Sequence, residues 1–269
     1  MYVYSSGKDQ ASLRTMFSIS FLAFSFIYQL STTSGDSLDY YDAKKRLDIV
    51  ELWYHKVKDP LIDAITQLNA EATNQTGKNG SRMDYYLQRA KSDYHRKWND
   101  SIKCVSDLTQ EECLAVMMYT DEFYKEYNLA SSRSIWTPYK VYTTLLTSGL
   151  KKLAQFDPIH DATLYLGIRF KAESPICRRI FWKAFTSTSL NVTIARGFAG
   201  LNGTVLEFRP PASSVAGKVG MLTNFPQQKE VILLPFEEFD VVQDVDQGFY
   251  FKSTKIQKVL KPTIRVGKL

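Results

Sequence analysis

Hydrophobic residues recur along this chain at two different periods, and the change of period divides it into halves. From residue 36 to about 156 the spacing is helical. Leu61, Ala64, Ile65 and Leu68 share one face behind Asp59-Pro60, a dipeptide that reads as an N-cap followed by proline in the first helical position. Met83, Tyr86, Leu87, Ala90, Tyr94 and Trp98 form a second stripe, and Tyr142, Leu145, Leu146, Leu150 and Leu153 a third. Between them Thr109 and Glu112 stand three residues apart before an apolar run, the pattern of a capping box. The polar stretch 70–81 (AEATNQTGKNGS) is expected to be a loop.

After Asp157-Pro158 the apolar runs shorten to strand length. Val, Ile, Phe and Tyr concentrate at 163–170, 204–209, 230–236, 239–244 and 249–255, each bounded by turn formers. Helices first and strands second is the order of an α+β fold, here a helical N-terminal part followed by a mixed or antiparallel β core. No internal repeat is visible, and residues 35–269 are expected to form one globular unit.

Residues 1–34 stand apart from that pattern. Lys8 and Arg14 precede residues 16–30 (MFSISFLAFSFIYQL), which carry no charge and lead into small polar residues. That is the order of a secretory signal peptide, and the run is too short to span a bilayer comfortably. Five Asn-x-Ser/Thr sequons, at Asn74, Asn79, Asn99, Asn191 and Asn202, fit a secreted, N-glycosylated protein. No hydrophobic tail is present, so no membrane anchor is expected. In an oxidising compartment two of Cys104, Cys113 and Cys177 are expected to pair, with a bridge from Cys177 to one of the other two favoured.

Composition removes several function classes. The formal net charge of +6 is modest, and no basic run with interleaved aromatics marks a nucleic-acid face. His55, His95 and His160 are scattered without metal-ligand spacing, so no metal is expected. There is no GxGxxG after a strand, no GxxxxGK[ST] loop and no GxSxG elbow.

What remains is an ordered set of segments: LYLGIRF (164–170), FTSTS (185–189) and FPQQKEVILLPFEEF (225–239). They are preceded by LTQEECLAVMMYT (108–120), EYN (126–128), Arg133 and YTTLLTSGLKKL (142–153). In this order, from about residue 82 to 256, they resemble the extracellular mono-ADP-ribosyltransferases of the Arg-Ser-Glu class. Residues 35–81 carry no matching motif. The resemblance implies the ADP-ribosyltransferase fold over 82–269 and NAD as substrate, with no permanently bound cofactor. The protein acceptor is not specified.

By that resemblance Glu230 is the catalytic carboxylate. Breaking the nicotinamide–ribose bond builds positive charge on the ribose, which a fixed carboxylate stabilises. Ser187 matches the serine that hydrogen-bonds this Glu, a task suited to a hydroxyl that both donates and accepts. Gln228 matches the acceptor-facing residue, which is Glu in arginine-modifying members. On an extended chain positions 228 and 230 would face the same side. Ser187, Ser189, Gly167, Arg169 and Phe225 are implied along the dinucleotide. Leu166 stands where the family carries its Arg, and Leu cannot pair with phosphate. Arg169 is three residues on and faces away from position 166 on a regular strand. Two functions follow: transfer of ADP-ribose to a side chain or to water, or a degenerate binding module of the same fold. Glu230 with Ser187 favours the first, and Leu166 the second.

Overall fold

The computed structural model describes residues 63–78, 81–98, 107–132, 137–159, 162–169, 179–182, 184–201, 203–210, 216–235, 237–245 and 256–262. The leader-like segment, the Asp59-Pro60 helix start, the sequons at Asn79, Asn99 and Asn202, Arg133, and Cys104 and Cys177 lie outside these residues.

The helical half contains α1 (Ala64–Gln75), α2 (Met83–Trp98), α3 (Gln110–Met118), α4 (Tyr124–Ser132) and α5 (Lys140–Phe156). The expected stripes face inward. Met83, Tyr86, Leu87, Ala90 and Tyr94 of α2 are buried, as are Tyr142, Leu145, Leu146, Leu150 and Leu153 of α5. Helix α3 is buried all round from Glu112 to Met118, which marks it as the central helix. Its capping box forms as expected: Glu112 N donates to Thr109 Oγ1, and Thr109 N donates to Glu112 Oε2. Lys152 pairs with the same carboxylate at 2.8 Å. Cys113 is buried and disulfide-bonded.

The stretch expected as a loop is partly helical, because α1 continues to Gln75. Tertiary contacts outweigh its polar composition. Ala72 is fully buried, and the Glu71 carboxylate accepts hydrogen bonds from Val141 N (2.9 Å) and Tyr142 N (2.8 Å). Helix α5 has no side-chain cap of its own, so Glu71 satisfies two orphan amides at its start from another helix. Burial pushes this carboxyl up to about 7, against the lowering effect of those amides. Asn74 is exposed on α1.

Between α3 and α4 the helix is interrupted at Tyr119–Phe123. Glu122 adopts φ 94°, a strained value for a residue with a side chain. Asp121 beside it is buried and pairs with Arg89 at 2.8 Å.

Eight strands, β1 (Leu164–Ile168), β2 (Arg179–Trp182), β3 (Thr186–Ser189), β4 (Thr204–Phe208), β5 (Ala216–Lys218), β6 (Glu230–Leu233), β7 (Glu237–Val245) and β8 (Ile256–Pro262), form one sheet. The order is β2-β7-β8-β4-β1-β3-β6-β5. Only β4 and β8 run parallel among these pairs, so the sheet is mixed and mostly antiparallel. The expected strand 230–236 ends at Leu233, and 249–255 falls outside the described residues. Strands β2, β5 and β8 were not expected; Ala-Gly-Lys of β5 has no β-branched or aromatic residue to signal it. The helical half packs through Phe185, Val219, Leu222 and Ile232, whereas Leu164, Ile168, Leu206, Phe208, Val231 and Leu233 belong to a second cluster.

One more helix, α6 (Val192–Ala199), follows β3 and lies on β1. Gly167 permits the contact. A Cβ there would fall into the Ala195 carbonyl, so any side chain would push α6 off the sheet.

Candidate active site

Glu230 opens β6, and the register places it in one row with its neighbours. Ser189 pairs with Glu230, and Tyr165 pairs with Ser189. Ser187 pairs with Ile232 and so lies on the same face as Glu230, one step along. Its hydroxyl donates to Glu230 Oε1 at 2.5 Å. Glu230 is 8% exposed, and burial pushes its carboxyl up to about 7, with the Ser187 bond opposing the shift.

The main chain two residues before the serine is held from the helical half. The Phe185 carbonyl accepts from Tyr119 Oη at 2.8 Å and from Asn128 Nδ2 at 3.1 Å, and Asn128 Nδ2 also donates to Tyr119 Oη. On the strand's other face Thr188 Oγ1 donates to the Val231 carbonyl at 2.7 Å. The strand is thereby tied at Phe185, just before it begins, and again at Thr188.

Positions 228 and 230 do not lie on an extended chain. Pro226–Gln228 form a 3-10 turn, and Lys229 follows at φ 47° in the left-handed region. Pro226 in the first turn position supplies the φ that starts it. Gln228 and Glu230 nevertheless both line the same cleft. Ser189 Oγ donates to the Gln228 carbonyl at 2.7 Å and accepts from Asn191 N, so its hydroxyl holds main chain at the edge of the cleft.

The space between the cleft walls, open solvent included, is about 360 Å³. From β1 it is lined by Tyr165, Leu166 and Gly167, and from β3 by Ser187, Thr188 and Ser189. Helix α6 adds Ile194, Ala195 and Phe198, and Gln228 and Glu230 close one side. The opening arises where β1 and β3 meet, since they share a single residue pair, Tyr165 with Ser189.

Of the residues singled out in the sequence, Glu230, Ser187, Gln228, Ser189, Gly167 and Leu166 come together here. Arg169 and Phe225 do not line the cleft. Arg169 follows the end of β1, and Phe225 N donates to Thr223 Oγ1 ahead of the turn. Leu166 packs partly on the Leu206 cluster and partly on the cleft. Ile194 and Phe198 were missed. Their four-residue spacing behind Asn191, whose side chain caps α6 by accepting from Thr193 N, was the available signal. Among the described residues no group of three or more His, Cys, Asp or Glu could hold a metal ion, and no helix is long and apolar enough to cross a membrane.

A family model for NAD:arginine ADP-ribosyltransferases matches residues 54–256. The erythroblast NAD(P)(+)–arginine ADP-ribosyltransferase of Gallus gallus is 29% identical over 191 residues, covering 66% of this chain and 59% of that protein. An NAD(+)–arginine ADP-ribosyltransferase of Enterococcus faecalis is 24% identical over 162 residues, covering 58% of this chain and 32% of its own length. This chain thus spans less than two thirds of either relative. A crystal structure of a mutant of the eucaryotic mono-ADP-ribosyltransferase ART2.2 with NADH shares the fold, with TM-score 0.57, 16% identity, and coverage of 79% of this chain and 91% of that one. A second ART2.2 structure gives TM-score 0.55 at 17% identity, covering 77% and 91%.

Proposed function

Because the chain belongs to the NAD:arginine ADP-ribosyltransferase family, we propose that it cleaves NAD and transfers ADP-ribose to a protein side chain or to water. The observation that carries this is the buried Ser187–Glu230 pair at the side of the cleft. The bond from ribose C1′ to the nicotinamide nitrogen breaks, and its electron pair leaves with neutral nicotinamide. Glu230 in its ionised form stabilises the positive charge left on the ribose, and Ser187 holds the carboxylate in place. An acceptor nucleophile then attacks C1′, forming the new C1′–N or C1′–O bond, and releases its proton to solvent. Phe198 and Ile194 supply an apolar wall on which the departing ring can pack.

Gln228 bears on the acceptor. A carboxylate there would hold a guanidinium through charge-assisted pairs, whereas the neutral amide binds it more weakly and lets water compete. The unaltered chain is expected to release more nicotinamide than it deposits ADP-ribose on arginine-rich protein. Gln228→Glu should shift that ratio toward arginine by about tenfold. Adenylate-labelled NAD measures both products. Efficient arginine labelling by the unaltered chain with little hydrolysis would refute the role given to Gln228. Absence of both products would favour the binding module, to which Leu166 already points.

The raised Glu230 carboxyl sets a pH dependence. Catalysis needs the ionised form, so activity should fall as pH drops through about 7. Stability has the opposite sign. The protonated form is favoured by burial, so that contribution is full below the unfolded carboxylate range near 4.5 and is lost as pH rises through about 7. Glu71 acts in the same direction. A flat profile of nicotinamide release between pH 5.5 and 8.5 (a window of about 1.5 pH units either side of that value) would contradict the assignment.

The chain is further proposed to be secreted after removal of residues 1–34, N-glycosylated, and stabilised by a bridge from Cys177. The exposed position of Asn74 is compatible with a glycan there.

A further inference from the structure

The segment that brings Gln228 to the cleft hangs between two anchors. Its far end is tied to β3 and the residue after it: Ser189 Oγ donates to the Gln228 carbonyl, and Leu190 N donates to the Lys229 carbonyl at 3.2 Å. Its near end is tied to the last turns of α2. Lys97 Nζ donates to the Thr223 carbonyl at 2.9 Å and reaches the Leu222 carbonyl at 3.5 Å. One turn earlier Asp93 Oδ2 accepts from Asn224 Nδ2 at 2.9 Å, while its Oδ1 pairs with Arg96. Three successive residues, Leu222, Thr223 and Asn224, are therefore held by one helix immediately before Phe225-Pro226.

We propose that Lys97 and Asp93 form a latch through which the helical half sets the pose of the Phe225–Lys229 turn, and are thereby positioning residues for the group that receives ADP-ribose. The proposal rests on the transferase function given above. Surface lysines ordinarily keep their ammonium in water. Here it is turned onto main-chain carbonyls, and burial lowers its pKa despite the nearby Asp93 carboxylate. The turn has no ladder of its own, being a 3-10 turn followed by a left-handed residue. Inside it Gln228 N donates to the Phe225 carbonyl at 3.0 Å and Lys229 N to the Pro226 carbonyl at 3.1 Å, so the turn moves as a unit and its pose is set by what holds its ends. Glu230 and Ser187 lie beyond the far anchor, within the β3–β6 ladder. Val219 N, ahead of the latched residues, also donates to the Glu230 carbonyl at 3.1 Å, so loosening Leu222–Asn224 moves Gln228 while Glu230 keeps its main-chain bonds on both sides.

The test uses the full chain with Lys97→Met, Asp93→Ala and the conservative Lys97→Arg. Amide exchange over 222–229 should quicken about tenfold in the first two variants, with 186–189, Val219 and 230–233 unchanged. With agmatine as acceptor, the division of ADP-ribose between agmatine and water should change about fivefold while KM for NAD stays within about twofold. Lys97→Arg should restore both. Unchanged exchange and unchanged division would overturn the latch. A parallel rise in KM for NAD and loss of nicotinamide release would show a general structural role and overturn it equally. An unaltered chain that releases no nicotinamide would overturn the transferase reading and the acceptor consequence with it, while the exchange result still decides the latch itself.

Discussion

Glu230→Gln is expected to lower nicotinamide release by about 100- to 1000-fold or more without loss of the fold. The amide keeps the size of the side chain, and its oxygen can still accept from Ser187, whose bond to Glu230 is 2.5 Å. What disappears is the charge beside the ribose. Because burial already disfavours that charge, the variant should unfold at the same temperature or a higher one at pH 8. Matched measurements of NAD turnover and thermal unfolding separate the two effects. Undiminished turnover in a folded variant would remove Glu230 from the mechanism.

Leu166→Arg is the second large effect. A guanidinium at this place on the cleft should tighten NAD binding by about ten- to hundredfold, the worth of a charge-assisted phosphate contact of about 1.5–3 kcal/mol. Part of the Leu166 side chain rests on the Leu206 cluster, so the longer arginine must lay its methylenes there and extend its head into the cleft. Arg169→Ala should leave affinity nearly unchanged, since Arg169 lies after the end of β1 and outside the cleft lining. Calorimetric titration of NAD distinguishes the two. The reverse pattern would mean that Arg169 holds the phosphates.

Elements whose order comes from their own residues were legible in the sequence. The stripes of α2 and α5 and the Thr109–Glu112 box are local patterns, and they fold as their spacing requires. The apposition of Ser187 and Glu230 is a different matter. The residues are 43 positions apart, and only the ordered resemblance of three segments put them together. Features that depend on distant partners were not legible. Nothing in AEATNQ announces that Glu71 caps a helix 70 residues away, so the stretch looked like a loop. Alternation suggested an extended chain through 228–230, although Pro226 was a visible sign of a turn. Helix α6 was hidden by its shortness, eight residues between two strands.

The single residue pair joining β1 to β3 places binding and folding in competition. Two neighbouring strands of one sheet gain stability by extending their ladder, yet here further pairing would close the space lined by Gly167, Ser187 and Leu166. The side chains of Ile194 and Phe198 keep a wall there instead. Substitutions selected only for a higher melting temperature are therefore apt to zip this seam and remove the cleft, a stability–activity trade-off located at one pair of strands.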